Sequence, residues 1–276
     1  MSASLPFTKM SGAGNDFVVL DSETWESVSQ DRAAWVRAVC RRGLSVGADG
    51  VLVIAPDGVG RVRVVFFNPD GGEAFCGNGS RCAARFALIR GMAAEPAMTL
   101  QTAVGDVPAV VMGDQVRLTL PPPEDRGAIT LEAGGETYRG RWVSAGVPHV
   151  VIPVVGLASY PIEWLGPMLR RHDKLGPEGA NVDLIERDGS GRIHVRTWER
   201  GVENETLACG TGAVAVAMAA RLAGAPEEIV VVPRSGSALT VSLPGDPARP
   251  AGAMLTGDAR IVFDGSLNAE ATMSPS

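Results

Sequence analysis

The chain has 276 residues, of which 45% are hydrophobic and 20% charged, and its formal net charge is -6 at pH 7. That length fits one large domain or two of ordinary size, and the apolar fraction excludes a disordered chain. The acidic balance excludes the basic face of a nucleic-acid binder, but not small anionic ligands, which a few arginines or helix ends can hold.

The start, Met1 to Lys9, lacks a basic segment followed by an apolar one, and no apolar run reaches the roughly 18–20 residues of a membrane span, so a cytoplasmic protein without membrane contact is expected. Phe7 to Asp21 predicts a strand that breaks at Ser11-Gly-Ala-Gly14 and resumes over Phe17-Val-Val-Leu20. Asp31 to Arg42 has helical spacing of Ala34, Trp35, Ala38 and Val39, with Asp31 as N-cap. Val51 to Ile54 and Val62 to Phe67 read as strands, and Asn68-Pro-Asp-Gly-Gly72 as a turn. Cys76-Gly-Asn-Gly79 precedes an apolar helix, Ser80 to Arg90, closed by Gly91. Strands at 98–104, 107–112 and 115–120 end in Pro121-Pro-Pro123, a stiff run without amide donors that reads as an interdomain crossing. The second half predicts strands at 128–132, 137–145 and 148–154, a helix over Ile162 to His172, and strands at 181–187 and 192–199. Cys209-Gly-Thr-Gly212 then opens an apolar helix, Ala213 to Ala223, closed by Gly224, and strands at 228–232, 238–243 and 254–263 finish the chain.

Lys9 and Lys174 are the only lysines. A pyridoxal-phosphate enzyme needs a Schiff-base lysine. Lys9 lies in a predicted strand and Lys174 in the polar stretch Arg170-Arg-His-Asp-Lys174, a solvated helix end, so neither suits that role. The cysteines at 40, 76, 82 and 209 form no CxxC pair, which argues against structural zinc, and four in a chain this long are not a disulfide framework. No cofactor and no metal are expected.

The strongest signal is an internal repeat. Cys76-Gly-Asn-Gly-Ser-Arg-Cys-Ala-Ala-Arg-Phe-Ala aligns without a gap on Cys209-Gly-Thr-Gly-Ala-Val-Ala-Val-Ala-Met-Ala-Ala, 133 positions later. Downstream, Val116-Arg-Leu-Thr-Leu-Pro121 matches Leu239-Thr-Val-Ser-Leu-Pro244. A duplicated α/β unit with pseudo-two-fold symmetry follows, and two copies face to face would bring Cys76 and Cys209 to opposite sides of one cleft.

A thiol at a helix start feels the positive end of the helix dipole, so its pKa is expected to fall from about 8.5 toward neutrality, where an acid or base works best. The glycines let an anion approach the first-turn amides, so Gly77-Asn78 and Gly210-Thr211 can hold a carboxylate. Two equivalent acid/base groups on opposite faces suit inversion of a stereocentre by proton transfer, with the helix ends stabilising the carbanion's charge. Cys40 and Cys82, inside or at the end of helices, read as structural.

With these residues in view, the chain resembles the diaminopimelate epimerase family along almost its whole length. The resemblance rests on Lys9-Met-Ser-Gly-Ala-Gly-Asn-Asp-Phe17, Gly47-Ala-Asp-Gly50, Asn68-Pro-Asp-Gly71, Cys76-Gly-Asn-Gly-Ser-Arg-Cys82, Gly146-Val-Pro-His149, Ala180-Asn-Val182, Glu199-Arg-Gly201 and Glu205-Thr-Leu-Ala-Cys-Gly-Thr-Gly212. Leu255 to Phe263 looks like the family's final strand, which returns to the first domain. The resemblance implies an α+β fold of two pseudo-symmetric α/β domains, each a curved, mostly antiparallel sheet around a central apolar helix. The domains would span 1–120 with about 257–270, and 121–256, with the active site in the cleft between them.

It implies a metal-free, pyridoxal-free, two-base epimerisation of LL- to meso-diaminopimelate for lysine and peptidoglycan synthesis, by a cytoplasmic homodimer. By motif position Cys76 and Cys209 are the acid/base pair, and Gly77, Asn78, Gly210 and Thr211 hold the reacting carboxylate. Asn15, Asn68, Asn181 and Arg200 contact the substrate, while His149 and Glu199 tune the thiols, Glu199 also lying at the substrate. Outside these motifs the asparagines would read as turn residues, His149 as a core histidine and Glu199-Arg200 as a surface pair. Two features depart from the family pattern: Val147 stands where Asn is common, and Glu199 to Thr206 is one residue longer than the commonest form. Two other functions share the fold: racemisation of another amino acid such as histidine, and non-catalytic metabolite binding, which predicts loss of one cysteine.

Overall fold

The computed structural model describes residues 4–28 and 31–273; the first three residues of the stretch read above for a leader lie outside them. In chain order the elements are β1 (Leu5–Gly12), β2 (Asn15–Asp21), α1 (Ser22–Glu26), α2 (Arg32–Cys40), β3 (Gly50–Pro56), β4 (Arg61–Phe67), β5 (Glu73–Ala74), α3 (Gly77–Ile89), β6 (Ala97–Thr102), β7 (Gly105–Met112) and β8 (Gln115–Leu120). They continue as β9 (Glu124–Ala133), β10 (Glu136–Ser144), β11 (Pro148–Pro153), α4 (Ile162–Arg170), β12 (Asn181–Arg187), β13 (Ile193–Glu199), β14 (Asn204–Thr206) and α5 (Gly210–Leu222). The last are β15 (Glu228–Val232), β16 (Leu239–Ser242), β17 (Gly245–Asp246), β18 (Arg249–Pro250), β19 (Ala253–Asp258) and β20 (Arg260–Leu267). The chain divides into two units, Met1–Leu118 with Gly257–Ser276, and Thr119–Thr256.

In the first unit the hydrogen-bonded order is β20-β1-β2-β3-β4-β6-β7-β8, with β5 sharing an edge of β4. In the second it is β9-β10-β11-β12-β13-β15-β16-β19, with β14 sharing an edge of β13. The two orders correspond strand for strand. The parallel pairs also correspond: β2 with β3 and β4 with β6 in one unit, β11 with β12 and β13 with β15 in the other. A parallel pair needs a crossover, and helices occupy all four: α1 with α2, then α3, in the first unit, and α4, then α5, in the second.

Each sheet curls around its crossover helix. Helix α3 touches β1, β2, β3, β4, β6 and β7, and α5 touches the equivalent β10, β11, β12, β13, β15 and β16. The enclosure follows from composition. Ala213 to Met218 are all buried, so α5 is apolar on every face and must be surrounded. The opposite sheet faces are covered by α2, with Trp35, Val36 and Val39, and by α4, with Ile162, Leu165 and Leu169. Fully burying each such large side chain contributes about 1.5–3 kcal/mol.

The structure corrects three element readings. Both central helices start earlier than predicted, at Gly77 and Gly210, because the preceding cysteines are their N-caps. Residues 254–263 are not one strand: β19 and β20 are separated at Ala259, whose N–H donates instead to the Asp114 carbonyl at 2.9 Å. Helix α1 was not anticipated. Asp21, read as a strand end, caps it by accepting from the Thr24 N–H at 2.7 Å.

Candidate active-site halves

The two repeats present their cysteines in the same way. Cys76 (φ -136°, ψ 113°) and Cys209 (φ -120°, ψ 116°) are extended N-caps whose sulfurs accept the N–H of Gly79 and Gly212, each at 3.4 Å. Intrahelical bonding starts with Ser80 N–H to the Cys76 carbonyl at 2.8 Å and Ala213 N–H to the Cys209 carbonyl at 3.0 Å. The first-turn amides of both helices precede that first main-chain bond, and those of Gly79 and Gly212 are taken by the cap sulfurs. Small residues after each cap are required by packing. A Cβ at Gly212 would lie 2.8 Å from Asp183 Oδ1, and one at Gly79 would lie 3.1 Å from Leu52 Cδ2.

Beyond the caps the two halves differ. In the first, Asn78 is buried in the first turn of α3, and Asn15 opens β2 after the tight Ala13-Gly14 turn, where Ala13 has φ 53° and Gly14 φ 104°. Asn78 Nδ2 donates to Asn15 Oδ1 at 2.6 Å, and Asn15 Nδ2 donates to Asp49 Oδ2 at 2.9 Å. Arg81, fully buried on the same helix, donates from Nη2 to Asn78 Oδ1 at 2.8 Å and from Nε to the Asp258 carbonyl at 3.3 Å. Asn68 lies at the end of β4, in a turn closed by its own N–H to Gly72 and by Gly71 N–H to its carbonyl.

In the second half a buried hydrogen-bond chain runs back from the thiol. Cys209 Sγ lies 3.3 Å from Thr211 Oγ1, and Thr211 Oγ1 lies 3.0 Å from His149 Nε2. His149 Nδ1 lies 2.7 Å from Asp183 Oδ2, and Asp183 Oδ1 accepts from Thr197 Oγ1 at 2.7 Å. His149 and Asp183 are both fully buried.

The imidazole tautomer follows from its neighbours. A carboxylate can only accept, so Nδ1 carries the proton. Asn181 Oδ1 accepts the Arg200 N–H at 2.7 Å, so Asn181 Nδ2, 3.2 Å from His149 Nε2, is a donor and Nε2 accepts. The Thr211 hydroxyl can then accept from a Cys209 thiol while donating to Nε2, or donate to a Cys209 thiolate. The Arg200 guanidinium donates to Glu178 Oε2 at 3.1 Å.

The charge around Cys209 overturns the expectation of a near-neutral thiol. Burial holds its pKa well above the ordinary value of 9.0, and the Glu199 and Asp183 carboxylates push it further up. The Thr211 and Gly212 hydrogen bonds pull it down by less. The helix end is thus outweighed by desolvation and by two acids distant in sequence. Burial also pushes Cys40 and Cys82 up to about 12.

The structure thus brings Asn15 and Asn78 together in one unit, and His149, Asn181, Thr211 and Cys209 together in the other, with the Arg200 main chain held by Asn181. Sequence reasoning missed Asp183, Arg81 and Asp49. Asp183 had a signal: it is two residues after Asn181 in β12, hence on the same face of the strand. Lys9 is buried and pairs with Asp16 at 2.6 Å and with the Gly47 carbonyl, while Lys174 Nζ donates to the Thr130 carbonyl at 2.7 Å. Among the described residues no group of three His, Cys, Asp or Glu side chains is arranged to hold a metal ion, and no helix is long and apolar enough to cross a membrane.

Two like units, each a sheet curled around a cysteine-capped helix, define a known fold class. A solved hydroxyproline epimerase from Agrobacterium vitis, with bound trans-4-hydroxy-L-proline, shares the fold at a TM-score of 0.71 and 19% identity, covering 98% of this chain and 94% of that one. The family is set by sequence. The Diaminopimelate epimerase family model matches residues 7–120 and 141–262. The diaminopimelate epimerase of Aquifex aeolicus is 40% identical over 279 residues, covering 96% of this chain and 99% of its own. That of Archaeoglobus fulgidus is 39% identical over 280 residues, covering 95% and 96%. The chain belongs to the diaminopimelate epimerase family.

Proposed function

We propose that the protein converts LL-diaminopimelate to meso-diaminopimelate by proton transfer between two cysteines, Cys76 and Cys209, in lysine and peptidoglycan precursor synthesis. The observation that carries this reading is the matched pair of cysteine N-caps, one in each copy of a repeated unit, in a chain of this family. One thiolate sulfur takes the α-hydrogen as a proton, the C–H electron pair stays on carbon, and the other thiol delivers its proton to the opposite face. Cys209, held protonated by burial and by Glu199 and Asp183, enters as the proton donor. After that transfer the Thr211 hydroxyl donates to the new thiolate.

In this reading the two units are the two catalytic halves. The helix starts at Gly77-Asn78 and Gly210-Thr211 bind the reacting carboxylate, and their positive ends stabilise its enolate-like charge. Asn15, Asn68, Asn181, Glu199 and Arg200 surround the rest of the substrate, and Arg200 exchanges Glu178 for a substrate carboxylate. The reading includes a cytoplasmic homodimer; the four free cysteines suit a reducing compartment.

In heavy water, LL-diaminopimelate should gain deuterium at one α-carbon and yield the meso form without added cofactor. Exchange with a different amino acid alone would reject the substrate. Cys76→Ala and Cys209→Ala should each abolish full epimerisation, and normal turnover in either variant would rule out the two-thiol mechanism. Sedimentation equilibrium should return twice the chain mass; a monomer removes the dimer from the reading.

A further inference from the structure

The repeat supplies an internal control. Arg81 in α3 corresponds to Val214 in α5, and both are buried. One unit fills the position with an apolar side chain, as economy predicts. The other places a guanidinium there, although an unpaired buried cation is costly. Among the described residues Arg81 forms no carboxylate ion pair, and its Nη1 is buried without a hydrogen-bond partner. The nearby Asp258 carboxylate is engaged elsewhere, with Arg260 Nε at 2.6 Å and the Ala13 N–H at 2.8 Å. Burial accordingly lowers the pKa of Arg81, which faces Cys82, Cys76 and Asp258.

The contacts that Arg81 does make lead to the half-site. A guanidinium can only donate and a carboxylate can only accept, whereas a side-chain amide can point either way. The chain Arg81–Asn78–Asn15–Asp49 has a donor-only group at one end and an acceptor-only group at the other. Those ends dictate the direction of both amides between them. Asp49 is itself fixed, accepting from Arg42 at 2.8 Å and from the Asp16 N–H at 3.1 Å.

We propose that Arg81 is a positioning residue of the Cys76 half-site: its buried guanidinium sets, from the donor end, the direction in which the Asn78 and Asn15 amides point. Asn78 thereby fixes Asn15, whose Nδ2 gives one hydrogen to Asp49 and turns N–H rather than C=O toward a substrate carboxylate. The inference rests on the epimerase reading in that it gives the Asn15 amide to the substrate. The direction of the chain itself does not depend on which substrate binds.

The test uses the full chain and two readouts. The first needs no substrate: nitrogen-15 spectra of the Asn side-chain amides. Slowly exchanging NH2 signals of Asn78 and Asn15 are expected in the parent protein and are expected to broaden or vanish in Arg81→Met. Unchanged signals in that variant overturn the proposal even if the protein acts on another substrate. The second is turnover of LL-diaminopimelate. Arg81→Met should raise KM by about tenfold or more, with a smaller change in kcat, and Arg81→Lys, which keeps a donor, should recover most of the loss.

Asp49→Asn leaves the acceptor end able to point either way, so combined with the Arg81 variant it should raise KM by more than the product of the single effects. Effects that simply multiply overturn the proposal, because they make the two ends independent structural sites. If the methionine variant does not fold, the same cycle and the same spectra are run with Arg81→Gln, whose amide can donate or accept and so no longer fixes the donor end, and simple multiplication there is equally decisive. An inactive parent protein whose amide signals still respond to Arg81 would reject the substrate and keep the positioning role.

Discussion

Asp183 shows how much one buried carboxylate decides. It fixes the His149 tautomer through Nδ1, accepts from Thr197, and acts on Cys209 as a negative charge that disfavours the thiolate. Replacing it by asparagine should therefore move two quantities in opposite directions. Loss of the charge lowers the Cys209 pKa, so iodoacetamide should label Cys209 faster near pH 8, read by mass spectrometry of its peptide. Loss of the acceptor-only partner frees the imidazole to present the wrong nitrogen, so kcat should fall on the order of tenfold to a hundredfold. Slower labelling of Cys209 would show that Asp183 does not set its charge state. The cysteines, the Gly-x-Gly starts and His149 were legible in the chain because each belongs to a compact motif. The sign of the Cys209 shift was not: the motifs offered Glu199 as a residue that tunes the thiols but gave no direction, and burial and the Asp183 charge reach the sulfur only through folding.

At the scale of elements, the cysteines have a second role as helix caps. Each sulfur accepts a third-residue N–H at 3.4 Å, a weaker version of the bond a serine oxygen makes. Cys76→Ser and Cys209→Ser should hold or raise stability, while the matching alanine variants lose about 0.5 kcal/mol, the low end of the range for oxygen caps. All four should lose full epimerisation. Urea unfolding with a meso-product assay separates the two roles, and serine variants as unstable as the alanine ones would remove capping from the account. Cysteine is not among the preferred caps, and two of the next three residues are glycines, so the sequence pattern placed the starts at Ser80 and Ala213. Helix α1 escaped notice for a different reason. Its five residues are too few to show a period, and its existence depends on the Asp21 cap and on burial of Trp25. The break at Ala259 was equally hidden, because a contact with Asp114, far away in the chain, produces it.

At the scale of the whole molecule, duplication was legible from the two Cys-Gly-x-Gly segments, but the strand order was not, since pairing is decided by hydrogen bonds between distant residues. What the order adds is that α2 and α3 cover opposite faces of one sheet in the first unit, and that each holds a buried thiol, Cys40 in α2 and Cys82 in α3. Their effect on stability has a definite sign. Burial raises both pKa values in the folded protein from the ordinary 9.0 to about 12, so the folded state keeps protons that the unfolded chain releases. The resulting stabilisation is complete below pH 9 and is lost as pH rises toward 12, at up to about 1.4 kcal/mol per pH unit for each thiol. Cys209, raised for related reasons, acts in the same direction. Urea midpoints measured between pH 9 and 11 should therefore fall steadily. Cys82→Ala, though less stable at neutral pH through lost packing, should fall with a shallower slope. Parallel slopes for the two proteins would mean that the buried Cys82 thiol is not what the folded state protects, and the alkaline loss would have to arise from other titrating groups.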